Sequence, residues 1–240
     1  MKKVVFISPM YNASSHLKDL IDSIKEQKNP NWEHIIVDDM STDGSFDLAC
    51  ELVRDDIKGK FQVRKNLEKK WALKNVVEVA REYQERSDVV VAVIDADDAL
   101  CNENTVDLLL NIYSEDDDVD TVWTAHSWDI NSMNISKELP ESPPVNPYEY
   151  PWCTSHLKTW RSCVLKGVSD GNFKDLDGNW FSRGYDQALY LPMLYLSHKR
   201  RFLNEICYLY RINSDSVSVR EWSEKNQMDT VRLVRSRGFV

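Results

Sequence analysis

Val91-Ala92-Val93-Ile94-Asp95-Ala96-Asp97-Asp98-Ala99-Leu100 changes character halfway along, from uninterrupted apolar side chains to a knot of carboxylates. Extended back to Val89, the apolar part predicts a central parallel strand covered on both faces, because a strand with one wet face would alternate. The run stops at Asp95. Ligands of open parallel sheets sit just beyond the carboxyl ends of strands, so these aspartates stand where binding chemistry collects. Asp95, Asp97 and Asp98 repel one another at this spacing, and the crowding becomes favourable when a hard divalent cation, Mg²⁺ or Mn²⁺, is shared with phosphate oxygens. Capping of the following helix by Asp97 or Asp98 is the competing reading, but it calls for a single acid.

Working outward from this strand, apolar runs alternate with segments of helical period. Val4 to Ser8, His34 to Asp38 and Phe61 to Arg64 read as strands upstream. Between them, Leu17, Leu20, Ile21 and Ile24 share one helix face, which Ser14 or Ser15 would cap. Leu48, Ala49, Leu52 and Val53 mark a short helix, and Leu73, Val76, Val77 and Ala80 a longer one. Downstream, Val106, Leu109, Leu110 and Tyr113 predict another helix, then Thr121 to Ala125 a strand. The alternation predicts an α/β domain with a Rossmann-like, mostly parallel open sheet and helices on both faces.

Beyond Ala125 the texture changes. Five of the eight prolines lie between Pro140 and Pro151, and five of the eight tryptophans between Trp123 and Trp180. That composition resists regular structure while offering flat apolar surfaces, so it predicts either a loop-rich lobe for a second substrate or a packed irregular loop. A helix from Tyr185 to Ser197 bent at Pro192, a strand from Phe202 to Tyr210 and a polar helix from about residue 221 complete the chain.

Composition narrows the function. A net charge of −9 opposes a general nucleic-acid binder, which needs clustered cations against phosphate. Two basic patches stand out nonetheless: Arg64 to Lys74, read as lying near a pyrophosphate, and Arg232, Arg235 and Arg237, read as a solvated helix face with self-association or anionic-lipid contact as alternatives. The five scattered cysteines form neither a disulfide framework nor a zinc-ligand pattern, which favours a reducing, cytoplasmic setting. MKKVVFISPMYN has too brief an apolar run for a signal peptide or membrane span, so membrane association is expected only peripherally, at the inner membrane surface. The first glycine is Gly44, so the chain lacks the glycine-rich phosphate loop that nucleotidyltransferases and dinucleotide enzymes place after strand one.

A second motif, Glu33 to Ser45 (EHIIVDDMSTDGS), ends a strand in two aspartates and enters a turn. One carboxylate there can accept a hydrogen bond from a nucleobase N–H, although an Asx-turn accounts for Asp43 and is open for Asp38. With Pro9, Tyr11 and Asn12 after strand one, Lys74-Asn75 on the basic helix and Asp95 to Asp98, these strings resemble, in order, the family 2 inverting glycosyltransferases of the GT-A fold. The resemblance is close over about the first 110 residues and loose thereafter.

The resemblance implies a nucleotide-sugar-binding half, residues 1–115, and an acceptor-binding half of the same domain, residues 116–240. It implies that Pro9, Tyr11 and Asp39 surround the base, usually uracil, and that Asp95 approaches the ribose. Asp97, with or without Asp98, would ligate Mn²⁺ or Mg²⁺ on the diphosphate, with Lys74 near the nucleotide. Asn12, Asp38 and Ala96 lie in the same motifs and belong to the predicted nucleotide-binding set. Asp186 matches the family's general base, although Tyr185 replaces the usual preceding glutamate; an acid favoured by the helix dipole is the plainer reading. His156 is read as a contact to acceptor or phosphate, against an ordinary hydrogen-bonded histidine. Where the family sometimes supplies a metal-binding histidine near the end, this chain has Asn213. The implied activity is metal-dependent transfer from a UDP-sugar to a hydroxyl with inversion. A glycan is the default acceptor, with a protein or a modified DNA base as alternatives, and a homo-oligomer is compatible. The rival reading is a non-catalytic nucleotide-sugar-binding module.

Overall fold

The computed structural model describes residues 1–56, 58–212 and 221–240. In chain order the elements are β1 (Lys3–Met10), α1 (Leu17–Lys25), β2 (Trp32–Asp38), α2 (Ser45–Leu52), β3 (Phe61–Lys65), α3 (Trp71–Arg81), β4 (Val89–Val93), β5 (Ala99–Leu100), α4 (Thr105–Glu115), β6 (Val119–Trp128), β7 (Lys158–Arg161), α5 (Tyr185–Leu196), β8 (Lys199–Tyr210) and α6 (Glu221–Arg237). Among the described residues the strands form one sheet in the order β3-β2-β1-β4-β7-β6-β8-β5. The first four are mutually parallel, and β6 pairs parallel with β8. Antiparallel partners flank β7, and β5 adds a short antiparallel edge. This is the GT-A architecture, a mixed and mostly parallel sheet between helices.

Strand period explains the two cores. In β1, Val5 and Ile7 face α3 and α5, while Val4 and Phe6 face α1 and α4. In β4, Val91 and Val93 join the first cluster, and Val90 and Ala92 the second. Every residue of β4 is buried, as a strand covered on both faces requires.

The second half departs from the sequence reading at β7 and at the terminal arginines, and shows which form the proline-rich segment takes. Lys158–Arg161 is a fully buried strand wedged between β4 and β6, although a four-residue run with two cations carries no strand signature. The Pro140 to Pro151 segment is irregular but pinned: Arg200 donates to Glu141 and to the Val145 carbonyl, and Arg235 donates to the carbonyls of Tyr148 and Tyr150. The terminal arginines are therefore not simply a solvated face. Arg235 also binds Gln187 Oε1 at 2.6 Å and Arg237 donates to the Lys174 and Asn172 carbonyls, leaving only Arg232 largely in water. Their hydrogen bonds tie α6 to α5 and the irregular segment.

Candidate active site

The cleft opens along the carboxyl ends of β1, β2 and β4. β1 delivers Pro9, followed by Tyr11, which is 43% exposed. Asn12 takes a left-handed backbone (φ 52°) and clamps two loops: its N–H donates to Ser41 Oγ and its Oδ1 accepts from Thr42 N at 2.8 Å. Asp43 clamps from the other side. Burial opposes its charge, yet hydrogen bonds from Ser45 and Ser14 prevail and hold the carboxyl down at about 2.

Asp38 is fully buried, and its carboxylate accepts weakly from Ser41 N at 3.3 Å. Asp39 is also buried, and its oxygens are taken by protein donors. Oδ1 accepts from Asn66 Nδ2 and Lys70 N, both at 2.8 Å, and Oδ2 from Trp71 N at 2.9 Å. Despite burial, these hydrogen bonds keep the carboxyl below its ordinary range. Asp39 thus fixes the 66–71 loop, in which Trp71 is held at φ 66°. That loop aims Lys69 rather than Lys74 at the cleft. Lys69 Nζ lies 2.9 Å from the Tyr11 ring centroid and 3.0 Å from the Asp39 carbonyl oxygen, whereas Lys74 points along α3 to Glu78 at 3.8 Å. Arg64 and Lys70 likewise pair with Glu82 and Glu78, so most of the basic stretch is neutralised on the surface.

The three aspartates after β4 have different surroundings. Asp95 accepts a hydrogen bond from Tyr185 OH, and its N–H donates to Tyr208 OH. Burial, reinforced by the charge of Asp186, pushes its carboxyl up to about 7. Asp98 turns inward and is 1% exposed, accepting from Tyr208 OH at 2.6 Å and from Arg211 N at 2.7 Å. Asp97 sits between them. Burial raises its carboxyl above the ordinary range, outweighing its own backbone N–H and the nearby charges of His16 and Arg211. Ala96 is buried against the second core.

A hard cation fits Asp97, whose carboxyl burial raises and which takes no side-chain hydrogen bond among the described residues. It fits Asp98 less well, because both oxygens there are already claimed by protein. Asn213 lies outside the described residues.

Across the cleft, Gly184 opens α5 at φ 64°, and a Cβ there would lie 3.1 Å from the Gln227 carbonyl oxygen of α6. Only glycine meets both demands, and the turn it permits sets Asp186 in the first turn of α5. Asp186 Oδ1 is 2.6 Å from Lys158 Nζ. The same ammonium donates to His156 Nδ1 at 3.1 Å. The His156 ring is stacked on Tyr208 (4.6 Å between centroids, 14°) and Tyr210 (5.1 Å, 23°). Burial, then the Lys158 charge and His126, hold this imidazole well below its ordinary pKa, so it is neutral and free to accept. Ligand atoms of Asp95, His156 and Asp186 lie within 4.8 Å of one another, a spacing suited to a metal, but the Lys158 ammonium already sits among them.

Asp186 and His156 form the floor of a cavity of about 330 Å³ whose walls include Trp128, Trp152 and Tyr210. Of the proline-rich segment's neighbourhood, Trp152 is the side chain that reaches this space. The structure therefore brings Asp95, His156 and Asp186 together, with Asp97 in electrostatic reach of Asp95, while Pro9 and Tyr11 stand at the carboxyl end of the neighbouring strand β1.

The sequence model of Glycosyl transferase family 2 matches residues 5–170 of the chain, spanning β1, the aspartate cluster and β7. The chain belongs to glycosyl transferase family 2. Over 239 residues it is 23% identical to glycosyltransferase GlyG of Streptococcus pneumoniae serotype 4, covering 95% of this chain and 76% of that protein. A 45-residue stretch is 49% identical to the putative teichuronic acid biosynthesis glycosyltransferase TuaG of Bacillus subtilis, covering 19% and 18% of the respective chains. Among solved structures, S. aureus TarS 1-349 in complex with UDP-GlcNAc superposes with a TM-score of 0.72 at 19% identity, covering 97% of this chain and 65% of that one. The mannosyltransferase PcManGT of Pyrobaculum calidifontis, in complex with GDP-Man and Mn²⁺, gives 0.60 at 15% identity, over 89% and 58%. The family 2 chain thus spans less than two thirds of these two structures.

Two cleft residues of this family 2 chain escape sequence reasoning. Lys69 is one of five cations in its stretch, and only the Asp39-held loop distinguishes it. Lys158 lies in a segment with no recognised strand; its one signal is the spacing of Lys158 and Trp160 on the same side of an extended chain.

Proposed function

We propose that this chain transfers a sugar from a nucleoside diphosphate donor, a UDP-sugar, to an acceptor hydroxyl, with inversion at the anomeric carbon. The observation that carries the reading is the gathering of Asp95, at the head of the aspartate cluster, with His156 and the ion-paired Asp186, which lines an aromatic-walled cavity. Family membership and the UDP-GlcNAc held by TarS support a nucleotide-sugar donor.

In this reading the nucleotide lies along the ends of β1 and β2, its base beside Pro9 and Tyr11, and its diphosphate reaches Asp97 and Lys69. Asp97 is the residue that would hold a divalent cation, with Asp95 beside it, and such a cation when bound neutralises charge on the departing diphosphate. Asp38, Asp39 and Asn12 shape the walls rather than meet the ligand. The acceptor enters the 330 Å³ cavity, where Trp128, Trp152 and Tyr210 offer flat faces suited to a sugar ring. Asp186 takes the proton of the acceptor hydroxyl. The acceptor oxygen forms its bond to the anomeric carbon from the side opposite the diphosphate, as the bond from that carbon to the phosphate oxygen breaks and its electron pair leaves on the diphosphate.

The experiment is release of UDP from a panel of UDP-sugars with Mn²⁺, with and without glycan acceptors. Turnover, slow with water and faster with an acceptor, is expected. Binding of UDP-sugars with no release under any condition would instead support a non-catalytic binding module.

A further inference from the structure

Lys158 is 1% exposed, lies in the middle of the sheet and carries a charge. Removing an ammonium from water is unfavourable unless it is paired and hydrogen-bonded. A methionine would fill the same volume at no such cost, so packing alone does not call for a lysine here. What the ammonium touches is specific: Asp186 Oδ1 at 2.6 Å and His156 Nδ1 at 3.1 Å.

Each link behind it is rigid. Lys158 and Trp160 project from the same face of β7, and Trp160 is fully buried in the core beneath α5. His156 is clamped by the stacked rings of Tyr208 and Tyr210, and Tyr208 OH in turn holds Asp98. The lysine is therefore anchored through β7 and by the histidine, and its Nζ is left in an ion pair with Asp186 Oδ1, which has no hydrogen-bond donor aligned to it among the described residues.

We propose that Lys158 is the positioning residue for Asp186. Its ammonium fixes Oδ1, so that the carboxylate meets the acceptor hydroxyl from the cavity floor, and it balances the negative charge of Asp186 beside Asp95. It does so as a resident cation, in the space that Asp95, His156 and Asp186 would otherwise offer to a metal. The inference rests on reading Asp186 as the base, and the test separates the two.

Lys158→Met, Lys158→Arg and Asp186→Asn are assayed for transfer, with Mn²⁺-dependent UDP affinity measured on each as the control for folding. Lys158→Met is expected to lower kcat about 100-fold, the scale of a misplaced reacting group, with the donor KM and UDP affinity within about twofold. Lys158→Arg keeps the charge on a different frame and is expected to lose about tenfold in kcat at unchanged KM. In Lys158→Ala, ethylammonium is expected to restore kcat saturably, and an uncharged alcohol of equal size is not. Wild-type kcat in Lys158→Met, or a fall in UDP affinity matching the fall in kcat, would overturn the positioning role. If Lys158→Met does not fold, the Arg variant decides: wild-type kcat there, or a matching rise in KM, also overturns it. Retained transfer by Asp186→Asn would instead remove the base assignment on which the inference stands.

Discussion

Two carboxylate regions, the aspartates after β4 and Asp186 on α5, solve the same electrostatic problem differently. On the proposed donor side, burial raises Asp97 against its own backbone N–H and the charges of His16 and Arg211, and its neighbour Asp95 is pushed up to about 7 by burial and by Asp186. On the acceptor side, Asp186 has its counter-ion built in, the buried Lys158 ammonium at 2.6 Å. In the proposed function one region receives a cation with its ligand, and the other carries its own. The contrast teaches that a group of acids is not one site: Asp98, next to Asp97 in sequence, is satisfied by Tyr208 and Arg211 and belongs to the scaffold.

The largest expected effect breaks the donor side. Asp97→Asn should reduce transfer by about a thousandfold or more and abolish the Mn²⁺ dependence of UDP binding, read by steady-state kinetics and calorimetry. Asp186→Asn tests the other side. Transfer should fall by about 10²–10⁴-fold, the range for a lost general base, while UDP binding with Mn²⁺ stays at the wild-type level. Equal loss of donor binding in both variants would erase the contrast.

A smaller effect concerns pH. The Asp95 carboxyl is raised in the folded state from its ordinary 3.8 to about 7, so the folded protein retains a proton that the unfolded chain has released. Stability of the metal-free protein should therefore fall as pH rises from about 4 to about 7 and level off above, as followed by thermal unfolding. Binding of Mn²⁺ with UDP should expel protons near pH 6, with affinity rising towards pH 7, and calorimetry in buffers of different ionisation enthalpy measures the release. No proton release at pH 6 would mean that Asp95 lies apart from the cation.

The smallest effect lies outside the cleft. Arg235→Met leaves the Tyr148 and Tyr150 carbonyls and Gln187 without their donor, and should cost about 1–3 kcal/mol in urea unfolding. Because Gln187 adjoins Asp186 on α5, a modest loss of transfer with unchanged UDP affinity should accompany it.

The same division explains how far the sequence could be read. The first half places its groups at the ends of strands in contiguous strings, so β2, β4 and the aspartates declare themselves by apolar runs that stop in acids. The second half gathers residues 156, 158, 186, 208 and 210, which only tertiary packing brings together. Asp186 is singled out by family resemblance, and the structure places it beside Lys158 in the lining of the cavity. Lys158 was not, because an isolated lysine defaults to solvent and its four-residue strand is recognisable only between β4 and β6. Arg235 was misread for a related reason: an arginine on a polar helix looks solvated until the carbonyls of a loop some 85 residues away are placed beside it.

The central claim is that the donor side imports its cation together with a nucleotide. Titration calorimetry of UDP into the wild-type protein and Asp97→Asn, each with and without Mn²⁺, tests it most directly. Strong enhancement of UDP affinity by Mn²⁺ in the wild type, lost in the variant, is the expected result; UDP affinity indifferent to Mn²⁺ in the wild type would contradict the account.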